Sequence, residues 1–145
     1  MTSTDAVAGD LIAEPFELVV DLSKVREMCK VLGQPLSDDD QSRIPTTFLT
    51  TMRHWITDES DAWRLLGFDQ SRTLHAGEEY EFHAGPLRIG QRLTGQSRIG
   101  RQWTKENKSG QRLRFATMVT TYRAEGGLLV ATASLTGVEL PGGQS

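Results

Sequence analysis

Three imidazoles, one thiol and two acidic groupings are the residues of this chain whose types suit proton transfer, nucleophilic attack or metal binding. His54 stands in a stretch rich in large apolar residues, with no acid at ligand spacing beside it, which reads as a structural or solvent-facing imidazole. His75 lies within, and His83 directly follows, an alternating segment, Leu74 to Phe82, that also carries Glu78, Glu79 and Glu81. Cys29 falls within an apolar stripe and has no histidine near it in sequence to draw off its proton, so it reads as packing rather than as a nucleophile. Asp38, Asp39 and Asp40 are adjacent, without the alternating ligands and turn glycine of a calcium loop, and read as a solvated loop or a helix start. No metal and no cofactor is called for by these groupings.

The elements that must position these groups follow from periodicity. Leu74, Ala76, Tyr80 and Phe82 alternate with His75, Glu79, Glu81 and His83, which predicts a strand with one buried face and places His75 opposite Tyr80 and Phe82. Gly85-Pro86 ends it. Three further strands follow: Leu93 to Trp103, with Leu93, Gly95, Ser97, Ile99, Arg101 and Trp103 on one side; Leu113 to Thr121; and Leu128 to Val138. Ser109-Gly110 and Glu125-Gly126-Gly127 make the reversals between them.

The helical signals precede this meander. Phe16, Leu18 and Val20 suggest a short first strand, and Asp21 caps a helix whose stripe is Leu22, Val25, Cys29 and Leu32, ended by Gly33. Phe48, Leu49, Met52, Trp55 and Ile56 predict a second, buried helix, capped by Thr46 or Thr47. Asp58 and Asp61 open a further helical piece through Trp63, Leu65 and Leu66, either continuous with the second or separate from it. Helices collected ahead of an antiparallel meander give an α+β domain.

A chain of 145 residues is long enough for one domain that buries roughly 70% of its unfolded surface. The expected domain is 9–140, with 1–8 and 141–145 as loose termini. A net charge of -3 from 16 basic and 19 acidic residues gives no general case for nucleic acid or an anionic membrane. The lone cysteine excludes an internal disulfide framework, and no apolar run reaches the length of a bilayer span, so a cytoplasmic protein is expected. Arg88, Arg92, Arg98 and Arg101 cluster in sequence and have the planar donors that suit a phosphate of coenzyme A or a carrier protein; a solvated strand face carries such charges equally well.

Two segments resemble a known family. Pro45-Thr46-Thr47-Phe48 resembles the PPTF element of the amino-terminal domain of MaoC-like dehydratases, the FAS1-like dehydratase domain. Leu74 to Phe82, LHAGEEYEF, resembles that family's LHGEQEF segment, and His83 to Leu93 is similar to its H-R-P-L-x-x-G-D-x-L run, with Ala84-Gly85 replacing the Arg and Gln91 the Asp. The resemblance implies a hot-dog fold, a curved antiparallel sheet wrapped around a long central helix. It further implies side-by-side pairing with a second hot-dog chain, or with itself as a homodimer, and an acyl-CoA or acyl-ACP thioester bound along that interface.

Catalytic members hydrate trans-2-enoyl thioesters with the Asp and His of a D-x-N-P-x-H motif after the first helix. The corresponding Gly33 to Asp40 reads GQPLSDDD and holds no histidine, and the Gln34 amide has no carboxylate's proton to exchange. The resemblance therefore implies a non-catalytic subunit that shapes the acyl tunnel, like the small partner subunits of (3R)-hydroxyacyl thioester dehydratases. Thr46, Phe48, His75, Tyr80 and Phe82 are its expected substrate contacts. Two rivals stand beside it: a self-sufficient homodimeric dehydratase or thioesterase using Asp38 or Glu78, and a hot-dog protein that binds without turnover.

Overall fold

The computed structural model describes residues 6–7, 11–35 and 44–142. The Asp38 to Asp40 run, and with it one of the two acids considered for catalysis, lies outside them. The described residues build one six-stranded antiparallel sheet: β1 (Ala6–Val7), β2 (Phe16–Val19), β3 (Thr73–Phe82), β4 (Arg92–Glu106), β5 (Arg112–Arg123) and β6 (Leu129–Glu139). The order is β1-β4-β5-β6-β3, and β2 pairs with β4 beside β1. Within the amino-terminal arm expected to be loose, Ala6 and Val7 thus pair with Gln102 and Arg101.

The strands form where the alternation predicts them, and the inner face is apolar. Leu18, Leu93, Ile99, Met118, Tyr122, Ala131 and Ala133 share one core with Phe48, Leu49 and Met52 from the covering layer. Phe16 meets Tyr122 edge to face at 6.1 Å between centroids. Gly95 makes room for the Phe16 ring, since a Cβ there would collide with it. Ser97 and Thr120 are buried on this face and satisfy each other, hydroxyl to hydroxyl, at 2.7 Å.

Two of the sheet's three register shifts move side chains from the faces that strict alternation assigns. One lies between Ile99 and Gln102, so Ile99 points inward but Trp103, expected on the same side, turns outward and stacks on Phe115 at 5.2 Å. The other lies between His75 and Gly77. It sets His75 opposite Gly137 and Glu78 opposite Leu135, in line with Tyr80 opposite Ala133 and Phe82 opposite Ala131. His75 accordingly shares the inner face with Tyr80 and Phe82, which corrects the expectation of opposite faces. Leu74, expected buried, is exposed on the outer face.

The covering layer also departs from expectation in its regularity. α1 (Leu22–Leu32) forms as predicted: Asp21 accepts from the Ser23 amide, Gly33 closes it at φ 69°, and Val25 and Cys29 are buried. The single long helix implied by the resemblance is replaced by three short pieces: 3-10 turns at Phe48–His54 and Asp58–Ser60, then α2 (Trp63–Leu66). Side chains that bond to nearby backbone break the run. The Ser60 hydroxyl accepts from the Thr57 amide at 2.7 Å, and Asp61 accepts from the Trp63 amide at 3.0 Å. No described helix is long and apolar enough to cross a membrane.

Candidate functional site

β3 lies at the end of the sheet order and, among the described residues, is paired on one side only, with β6. The loop that delivers it is firmly fixed. Glu139, buried at 6% exposure, accepts from the Asp69 amide at 2.6 Å and from Arg114 at 3.1 Å. Arg114 in turn lies over the Phe68 ring at 4.7 Å. Asp69 caps the turn into β3; hydrogen bonds from Ser71, then from Arg72, hold its carboxyl below the ordinary value of 3.8.

Between β3 and the covering turns is a cavity of about 580 Å³. Met52, Ile56, Trp63, Met118 and Leu135 give it an apolar floor, while Arg53, Thr57, Asp58, Gln70, His75 and Glu78 supply polar groups. Trp63 is placed by Gly137: a Cβ there would come within 2.8 Å of the indole ring, so the strand's lack of a side chain lets the wall close on it.

His75, Glu78 and Tyr80 form a connected polar group on this cavity's β3 side. His75 Nε2 is 3.4 Å from Glu78 Oε2, and the Tyr80 hydroxyl donates to Glu78 Oε1. Burial first, then the Glu78 hydrogen bond and charge, push the Tyr80 phenol well above its ordinary 10.0, so it is a neutral donor at neutral pH. The Glu78 side chain is 23% exposed and that of His75 51%, which leaves both reachable from the cavity. The bulge before Gly77 brings these three together.

A second, smaller cavity of about 250 Å³ is lined by Ile44, Pro45, Thr46, Phe82, Pro86 and Leu87. The expected contacts are thus distributed: His75 faces the larger cavity, Thr46 and Phe82 meet at the smaller one, and Tyr80 reaches the site through Glu78. Phe48 lines neither and is fully buried in the core. His54 is exposed at the end of the Phe48–His54 turn, and His83 bonds Thr132 at 3.0 Å; neither lines either cavity. Arg88, Arg92, Arg98 and Arg101 are exposed and also line neither, with Arg101 lying over Trp103 at 4.7 Å. Arg53, Thr57 and Gln70 had no motif to mark them; only the folding of separate turns against β3 assembles them. Among the described residues no group of three or more metal-ligating side chains is gathered.

The family described as "FAS1-like, dehydratase domain region" matches residues 40–133. The chain belongs to that family. Its fold is the hot-dog fold of solved MaoC-like dehydratases. A chain of the ChsH1–ChsH2 complex from Mycobacterium tuberculosis aligns with a TM-score of 0.67 at 14% identity, over 92% of this chain and 86% of that one. A chain of the truncated HadBC complex from the same organism, a (3R)-hydroxyacyl-ACP dehydratase, gives 0.58 at 16%, over 93% and 95%. A MaoC-like dehydratase gives 0.63 at 19%, covering 96% of this chain but 41% of its own length. No curated protein matches the chain.

Proposed function

We propose that this FAS1-like dehydratase chain is the non-catalytic, tunnel-shaping subunit of a heteromeric (R)-specific enoyl-thioester hydratase or 3-hydroxyacyl dehydratase acting on an acyl-CoA or acyl-ACP. The observation that carries the reading is the cavity of about 580 Å³ with an apolar floor, set beside the one-sided strand β3, in a chain whose Gly33 to Asp40 segment holds no histidine. Each methylene that leaves water for Met52, Ile56, Trp63, Met118 and Leu135 contributes about 0.8 kcal/mol to holding an acyl chain. The proton transfers at the thioester's alpha and beta carbons then fall to a second hot-dog chain that carries D-x-N-P-x-H.

The unpaired side of β3 is the docking edge in this reading, because it offers backbone donors and acceptors along Thr73 to Phe82. Glu79 and Glu81 project from the opposite face to Glu78, so a partner with basic residues at matching positions is favoured over indiscriminate pairing. Co-expression with MaoC-like chains that carry the motif tests this. The expected result is a stable complex in which the β3 amides gain protection from hydrogen exchange. Self-association alone, with no complex and no acyl-CoA binding, overturns the reading.

A further inference from the structure

Glu78 and His75 sit where an acyl tunnel built for plain hydrocarbon would carry apolar residues, and their geometry leaves something unfinished. One Glu78 oxygen is engaged by the Tyr80 hydroxyl. The other is 3.4 Å from His75 Nε2, longer than a well-formed hydrogen bond, and both groups remain accessible from the cavity. A ligand hydroxyl that settles against this pair has an acceptor in Glu78 Oε2 and, when His75 carries its proton on Nε2, a donor at the same place. A hydrocarbon segment in that position would strip water from a carboxylate and an imidazole and return no hydrogen bond.

We infer that the His75–Glu78 pair is a specificity site that selects an acyl group bearing a hydroxyl remote from the thioester over a saturated one. The inference rests on the acyl-binding reading above and deepens it. The reacting beta carbon lies at the partner's Asp and His in that reading, so the oxygen recognised here belongs further along the chain. The Asp58 carboxylate is not a competing recognition group, since Arg64 pairs with it at 2.9 Å. Tyr80 acts as a positioning residue: its hydrogen bond to Oε1 fixes the carboxylate plane so that Oε2 faces the cavity.

The test is calorimetric titration of the full chain with decanoyl-CoA and with a set of decanoyl-CoA derivatives that each carry one hydroxyl at a successive position beyond the beta carbon. The described residues of this chain already bring His75 and Glu78 to the cavity, so the chain by itself presents the pair to the ligand. At least one hydroxylated derivative is expected to bind about tenfold or more tightly than decanoyl-CoA, as for a hydrogen bond to a charged group. Replacing the exposed His75 (His75→Leu) is expected to reduce that preference, and Tyr80→Phe to weaken it while leaving the cavity's size unchanged. Equal binding of every derivative and the saturated ligand overturns the specificity inference and leaves acyl binding standing. Absence of binding by any of them removes acyl binding itself, and the inference with it.

Discussion

The Tyr80 hydroxyl donates to Glu78, two residues away on the same face of β3, and that bond orders the polar side of the larger cavity. Its energetic consequence appears at high pH. Burial first, and then Glu78, raise the phenol of Tyr80 above 10.0, while burial and the Glu78 charge raise that of Tyr122. Below about pH 10 the phenols are neutral in folded and unfolded chains alike, and their contribution to stability is intact. Above it the unfolded chain releases protons that the folded chain retains, so stability falls as pH rises. The more deeply buried Tyr122 carries the larger share, because solvent screens the partly exposed Tyr80. Ultraviolet titration is expected to show both tyrosines ionising only as the protein unfolds. In Glu78→Gln, Tyr80 should ionise at lower pH than in the parent while remaining above the ordinary value, since burial persists. An unchanged Tyr80 titration in that variant would contradict this account.

Gly137 meets the Trp63 ring at the cavity wall so closely that a Cβ there would come within 2.8 Å of it. A Gly137→Ala change forces the indole to move, with a cost of about 1–3 kcal/mol from overpacking. Urea denaturation should report that loss, and tryptophan fluorescence should report altered surroundings for Trp63. Acyl-CoA binding is expected to weaken further than stability alone requires, because the displaced ring is part of the floor.

Glu139 ties the entry of β3 to the centre of the sheet through the Asp69 amide and Arg114. Glu139→Ala removes the acceptor that holds the Asp69 amide and Arg114 together and is expected to cost about 1.5–3 kcal/mol. Arg114→Ala should cost at least as much, since it leaves the Glu139 carboxylate, 7% exposed, with the Asp69 amide but without its cation. Denaturation midpoints of the two single variants and the double variant check the order. A negligible loss for either single variant would contradict the assignment of Glu139 as the central tie.

Much of the sheet was legible because period-two alternation and glycine-marked turns set β4, β5 and β6, and the Asp21 cap and Gly33 stop set α1. What alternation could not carry across was a bulge. One extra residue at Ala76 moved His75 from the outer to the inner face, and the irregularity after Ile99 sent Trp103 outward. The Phe48 to Leu66 layer was legible as apolar but not as short turns, because the competing bonds of Thr57, Ser60 and Asp61 leave the apolar pattern unchanged. The five expected contacts met this unevenly: four reach the two cavities or their polar group, and Phe48 is core.

The central claim is that this chain shapes an acyl site without supplying the acid and base. Steady-state hydration of a short trans-2-enoyl-CoA by the purified chain alone, at enzyme concentrations that register very slow turnover, tests it most directly. No rate above the uncatalysed reaction is predicted, with turnover appearing when a D-x-N-P-x-H hot-dog chain is added. Hydration by the chain alone that disappears in His75→Ala or Glu78→Gln would contradict the claim and make their contact a catalytic one.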